Sequence, residues 1–393
     1  MPKVIVMILD GVGVGAAPDA ANYNDVGSST LLNIAEKIGR LDLPNLQELG
    51  LGNITDIIGV EKKPDCIGNF GKMKEQSKGK DSTTGHWEIG GLVTQTQFPV
   101  YLNGFPEEIL SKFIQLNKLD GILGNKAASG TEIIVELGEE HIRTGFPIIY
   151  TSADSVFQIA AHEEVIPIDR LYEICRVTRE KIMIGTHAVG RIIARPFIGK
   201  DGNFIRTYRR KDFVLEPHGD MIFDLIVKKG INTIGIGKIN DLFAYRNINK
   251  QIKTKNNFEG IQETIKAISS EENSYIMTNL IDFDVYYGHR NDAIGFARSL
   301  KEFDDYLPEI LSALKKSDIL IITSDHGNDP TFPGTDHTRE IVPLLVYGSD
   351  LKRGIDLGLR ETFADVSKTI CDFYHIDNNL NGTSFYYLIS GKN

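Results

Sequence analysis

Three aspartates and three histidines of this 393-residue chain stand just beyond short apolar runs. Asp10 follows Val4–Leu9, and Asp284 and His289 lie five residues apart in DFDVYYGH, after Ser274–Leu280. Asp325 and His326 follow Ile319–Ile322, and His337 stands eleven residues beyond His326 in GTDHTRE. In an open parallel sheet, ligands bind just outside the carboxyl ends of the strands. Oxygen and nitrogen donors gathered there, without sulfur, suit two divalent cations such as Mn²⁺ or Zn²⁺. Taken singly, an aspartate after a strand is a helix cap or a turn residue. Asp-His-Gly after a buried strand is more specific, because two adjacent ligand-type side chains seldom serve packing. His86, His141, His162, His187, His218 and His375 lack such a setting and read as structural or surface histidines.

The loop Lys80-Asp81-Ser82-Thr83-Thr84-Gly85-His86-Trp87-Glu88 packs hydroxyls, a glycine and the chain's single tryptophan together. A hydroxyl is a weak nucleophile at its own pKa and becomes competent beside a metal. Without the metal ligands the same segment would be a Ser/Thr-rich turn. Three other signals are weaker. Gly11-x-Gly13-x-Gly15 lacks the third glycine of a dinucleotide loop, and Gly237-Lys238 lacks the rest of a P-loop. The basic cluster Arg206, Arg209, Arg210 and Lys211 suits either a solvated face or an anion site.

These residues need a scaffold that brings strand ends together. Val4–Leu9, Thr233–Ile236, Ser274–Leu280, Ile319–Ile322 and Ile341–Tyr347 are continuous apolar runs of the kind that form parallel strands buried on both faces. Amphipathic helices are expected at Ala293–Leu314 and Phe363–Tyr374. The alternation predicts an α/β core with a mostly parallel central sheet flanked by helices. Residues 99–216 differ, with polar turns and short apolar pieces, and read as an α+β domain inserted between core pieces 1–98 and 217–393.

Composition narrows the class. With 43 Lys+Arg against 53 Asp+Glu the formal charge is −10, which argues against nucleic acid or an anionic membrane as the main partner. No apolar run approaches the ~20 residues that span a bilayer. Three scattered cysteines, Cys66, Cys175 and Cys371, exclude a disulfide scaffold and a thiolate zinc site and point to the cytoplasm.

The segments LDGVGVGAAPDA, GKDSTTGHWE, TSADSVFQIAAHE, GRIIARPF, GKIND, DFDVYYGHRND and SDHGNDPTFPGTDHTRE resemble those of the bacterial phosphopentomutases, of the alkaline phosphatase superfamily. The resemblance runs nearly the whole chain. It implies an alkaline-phosphatase-like core with a cap domain, and two Mn²⁺ ions. One set of ligands would be Asp284, His289 and His337, the other Asp10, Asp325 and His326. Thr84, directly before Gly-His-Trp, matches the family's phosphorylated threonine, whereas Ser82 and Thr83 match its neighbours. Ser152, Asp154, Arg191, Ile193 and Lys238 fall on segments that hold the phosphosugar, with Arg206 and Arg210 as looser phosphate contacts. One departure is visible: Leu32-Asn33 stand where the family has Gly-His.

The activity so implied is interconversion of ribose 1-phosphate and ribose 5-phosphate, and of the 2-deoxy sugars. It runs through a phosphothreonine and a 1,5-bisphosphate, with ribose 1,5-bisphosphate or glucose 1,6-bisphosphate as activator. The partners are then small pentose phosphates. Competing readings are a cofactor-independent phosphoglycerate mutase, a metal-dependent phosphatase in which water captures the phosphoenzyme, and a non-catalytic phosphosugar sensor.

Overall fold

The computed structural model describes residues 2–152 and 155–391. The chain divides into two compact units, one formed by Met1–Thr96 with Pro217–Asn393 and the other by Gln97–Glu216.

The first unit is built on an eight-stranded sheet in the order Lys250–Ile252, Asn232–Ile236, Ser274–Leu280, Val4–Leu9, Ile319–Thr323, Val342–Tyr347, Asn69–Met73, Asp356–Arg360. Val4–Leu9 is buried along its whole length, as are Ser274–Leu280 and Ile319–Thr323, which flank it in parallel register. Burial on both faces explains why these runs carry no polar alternation. The three strands end together on one side, so the residues just after them share one edge. Val342–Tyr347 departs from the expected parallel arrangement, since it runs antiparallel to both neighbours. An apolar run reports burial and not direction. Asn69–Met73 and Asp356–Arg360 carry too few β-branched residues to announce themselves.

Helices follow the apolar spacing. Ala293–Ala313 buries Phe296, Leu300, Phe303, Leu307 and Ile310, at the three- and four-residue steps of one helical face. Asp365–Phe373 is one or two residues shorter at each end than the pattern suggests. Among the described residues no helix is long and apolar enough to cross a membrane, and all three cysteines are buried and unpaired.

The second unit has its own mixed sheet of six strands. Val156–His162 and Arg191–Lys200 pair in parallel at its centre, and Lys211–Val214 lies antiparallel to the second of these. Helices Glu107–Asn117 and Ile168–Val177 supply Phe113, Leu171 and Ile174 to one core of this unit. Glu132–Thr144 packs Ile133 and Ile134 on a second cluster with Tyr150 and Phe197.

Candidate active site

Asp10 and Asp325 occupy the loops that leave two of the three adjacent central strands, and Asp284 lies in the short helical turn Phe283–Tyr287 beyond the third. The loop after Asp325 returns through a bridge between Gly327 and Thr338, which delivers His337 beside His326 with ring centroids 3.9 Å apart. Two groups of ligand atoms result, Asp10 with Asp325 and His326, and Asp284 with His326 and His337, each within 4.8 Å of one another. His289 joins the second group, its Nε2 lying 3.3 Å from Asp284 Oδ2 and 3.2 Å from His337 Nε2. His326 therefore stands between the groups, and all six predicted ligands lie in one cluster.

Surrounding hydrogen bonds set how these side chains point. His289 Nδ1 meets the Thr335 carbonyl at 2.7 Å and His326 Nδ1 meets the Gly327 carbonyl at 3.1 Å, which turns both Nε2 atoms inward. Asn328 Nδ2 donates to Asp284 Oδ1 at 2.6 Å, and the Gly11 amide donates to Asp325 Oδ1 at 3.3 Å. Gly11 has φ of +81°, and its own carbonyl accepts from the Asn328 amide. Glycine belongs there for that turn, and at position 13 a Cβ would sit 2.0 Å from Glu340 Oε2. Gly11 and Gly13 thus serve close packing, whereas Gly15, at φ of +139°, borders open space.

Asp10 Oδ1 and Asp325 Oδ2 are buried without a hydrogen-bond partner among the described residues. Orphaned carboxylate oxygens beside inward imidazoles, with no sulfur, are the donor set of a divalent cation such as Mn²⁺ or Zn²⁺. Within the cluster the charges compensate one another. Burial alone would raise the Asp284 carboxyl, but the imidazoles of His337 and His289 hold it well below the usual carboxylate range. Burial would lower His326, but the Asp325, Asp10 and Asp284 carboxylates hold it well above the ordinary histidine value. Against the same burial effect, Asp284 brings His289 up to about 8.

Ser82–Ile89 forms a helix whose first turn faces this cluster. Asp81 caps it, Oδ1 accepting the Thr83 and Thr84 amides, while the Thr84 hydroxyl donates to Asp81 Oδ2. Ser82 Oγ lies 3.1 Å from His326 Nε2. A Cβ on Gly85 would stand 2.0 Å from the Asp325 carbonyl oxygen, so the helix backbone rests directly on the ligand loop. The other end is locked by Glu88, whose buried carboxylate accepts from the Gln76, Ser77 and Phe363 amides and the Thr362 hydroxyl. Trp87 Nε1 donates to the Leu242 carbonyl at 2.9 Å.

The predicted sugar-phosphate residues divide between the units. In the second unit Arg210 makes a two-pronged pair with Asp212, and Arg191 Nη1 lies 3.9 Å from the same carboxylate. Ile193 is buried opposite Asp212 in the strand register, and Ser152 directly follows Ile148–Thr151. Arg206 ends the strand Asn203–Arg206. Lys238 belongs to the first unit, just before the short helix Ile239–Leu242. Asp154 lies outside the described residues.

Sequence reasoning missed four participants. Asp81, Asn279 and Asn328 carry no ligand-type spacing of their own. His86, read as a structural or surface histidine, is fully buried, with Nδ1 3.1 Å from Asp325 Oδ2. Its place inside TTGHWE was the available signal.

A family model for the metalloenzyme superfamily matches residues 2–378. The phosphopentomutase of Caldanaerobacter subterraneus subsp. tengcongensis is 55% identical over 387 residues, covering 98% of this chain and 97% of that protein. The phosphopentomutase of Dictyoglomus thermophilum is 54% identical over 387 residues, with 98% of each chain covered. That of Clostridium kluyveri is 49% identical over 390 residues, 99% of this chain and 100% of the other. Among solved structures, the PH0037 protein from Pyrococcus horikoshii aligns over 97% of this chain and 99% of its own, with TM-score 0.50 and 15% identity. That likeness speaks to the fold, an α/β core with a mostly parallel sheet.

Proposed function

This chain belongs to the phosphopentomutase family of the metalloenzyme superfamily, and on that premise we propose that it interconverts ribose 1-phosphate and ribose 5-phosphate, and their 2-deoxy counterparts, by way of phosphate carried on Thr84. The observation that carries the reading is the helix Ser82–Ile89, seated at Gly85 on the loop of Asp325 and His326.

Asp284, His289 and His337 would hold one Mn²⁺ and Asp10, Asp325 and His326 a second, which when bound supply Lewis-acid neutralisation of phosphoryl oxygens. The remaining work falls to the chain itself. In the first half-reaction the free hydroxyl oxygen of the sugar phosphate attacks phosphorus, and the bond from phosphorus to Thr84 Oγ1 breaks. The proton lost by the sugar hydroxyl balances the one that Thr84 regains, and Asp81 Oδ2 is the acceptor that the regenerated hydroxyl finds. The sugar 1,5-bisphosphate then returns its other phosphate to Thr84. A bisphosphate, ribose 1,5-bisphosphate or glucose 1,6-bisphosphate, primes the unphosphorylated hydroxyl.

Ser152, Arg191, Ile193, Arg206, Arg210 and Lys238 are the proposed contacts to the sugar phosphate. Guanidinium groups suit this task because their forked donors match phosphate oxygens. The proposed location is the cytoplasm, in keeping with the three unpaired cysteines.

Product analysis with ribose 5-phosphate, Mn²⁺ and a catalytic amount of glucose 1,6-bisphosphate tests the reading. Ribose 1-phosphate as the product supports the mutase, and net release of inorganic phosphate supports the hydrolase instead.

A further inference from the structure

His86 does not contact any position where a sugar phosphate has been proposed, yet it is completely buried and joins three separate pieces of the site. Its Nδ1 lies 2.7 Å from the Ser82 carbonyl oxygen, in the first turn of its own helix, and 3.1 Å from Asp325 Oδ2. Its Nε2 lies 3.2 Å from Asn279 Nδ2, and the same amide nitrogen donates to Asp10 Oδ2 at 2.8 Å. Asn279 sits opposite Ile8 in the register of the central strands, one step from the strand end that carries Asp10.

The protons in this chain of contacts are determined by their neighbours. Asn279 must turn its NH₂ group toward the Asp10 carboxylate, because its carbonyl oxygen there would face another acceptor. The second proton of that NH₂ group then points at His86 Nε2, which accepts it. The ring proton therefore resides on Nδ1, the atom that faces the Ser82 carbonyl and the Asp325 carboxylate. Reversing the amide would set the Asn279 oxygen against the Asp10 carboxylate.

We propose that His86 is a positioning residue of the Asp10, Asp325 and His326 ligand set. Its Nδ1 edge lies against Asp325 Oδ2 at 3.1 Å, and its Nε2, through Asn279, holds Asp10 Oδ2, which leaves Asp10 Oδ1 and Asp325 Oδ2, each 3.3 Å from His326 Nε2, turned toward one cation. The same ring fixes the distance between that set and the first turn carrying Ser82 and Thr84. The proposal rests on the functional reading only in taking this set as a metal site. Outer residues that orient metal ligands typically govern metal affinity by about 10–100-fold.

The test is calorimetric titration of the full-length, metal-stripped protein with Mn²⁺ alone, alongside its metal-free melting temperature. His86→Asn returns an amide N–H close to the Nδ1 position, whereas His86→Phe keeps the ring volume and no polar atom. The expected result is at least roughly tenfold weaker Mn²⁺ binding at one site for H86F and for Asn279→Leu. H86N should bind within about threefold of the parent, because it restores the contact to Asp325. In the double variant H86F/N279L the losses should fall short of additive, as expected for two links of one chain. Unchanged Mn²⁺ affinity in folded H86F, or H86N as defective as H86F, would overturn the proposal. Should H86F fail to fold, N279L against H86N decides the question by the same two numbers. A protein without mutase activity whose Mn²⁺ affinity still follows this order would contradict the functional reading and leave the positioning role standing.

Discussion

Asp81 holds Thr84 twice, its Oδ1 accepting the Thr84 amide at 3.1 Å and its Oδ2 accepting the Thr84 hydroxyl. One carboxylate thus starts the helix and aims the side chain proposed to carry phosphate. The two roles separate on substitution. Asp81→Asn keeps an oxygen for the amides and presents an N–H to the hydroxyl in place of an acceptor. It should melt close to the parent and turn over roughly 10²-fold more slowly, the scale of one positioned acid–base group. Asp81→Ala should lose about 1 kcal/mol of capping as well. Melting curves with steady-state rates check both, and an Asn variant at full rate would remove Asp81 from the reaction.

Gly85→Ala opposes a general preference. Alanine is favoured over glycine in a helix by about 1 kcal/mol. Here its Cβ would meet the Asp325 carbonyl oxygen at 2.0 Å, a rigid backbone atom. The clash must win, lifting the helix from the ligand loop. Expected are a lower melting temperature and weakened Mn²⁺ binding, measured by calorimetry; a stabilised, fully active variant would contradict the packing described.

Glu88 anchors the far end of the same helix through four donors. Glu88→Ala strands them in the interior, at a cost of about 3–5 kcal/mol. Urea denaturation should register a loss of that order, with the slope unchanged.

Glu340 predicts a pH dependence. It is fully buried, accepts from the Thr30 amide and from the Thr30 and Thr338 hydroxyls, and burial pushes its carboxyl up to about 7. In the unfolded chain it ionises near its ordinary 4.5, so the folded protein binds the extra proton between those values. Its contribution is present in full below the lower value and is lost as pH rises through about 7. Glu340→Gln should flatten that decline. Urea titrations of both proteins at several pH values between these limits measure it, and parallel curves would rule Glu340 out as the source.

Much of this site was legible before any coordinates. Asp10, Asp284 and Asp325 declare themselves because a carboxylate within a few residues of the end of an apolar run marks a strand end, and three adjacent parallel strands bring those ends together. His337 was harder, since its approach depends on the Gly327–Thr338 bridge and not on a strand of its own. The direction of Val342–Tyr347 was not legible at all, because burial on both faces looks the same in either direction. His86 signals no more than a structural or surface histidine for a related reason. Its role comes from Asn279 and Asp325, which are distant in sequence and meet it only in the folded core.

Central to the account is the residue that carries phosphate, and Ser82, 3.1 Å from His326 Nε2, is its nearest rival. The most direct measurement is peptide mapping by mass spectrometry after incubation of the Mn²⁺-loaded protein with glucose 1,6-bisphosphate, in the parent and in Thr84→Ala. The account predicts one added phosphate, on Thr84, that disappears from the parent on addition of ribose 5-phosphate and never forms in Thr84→Ala. Phosphate on Ser82, or a Thr84→Ala protein that is still phosphorylated and turns over, would contradict it.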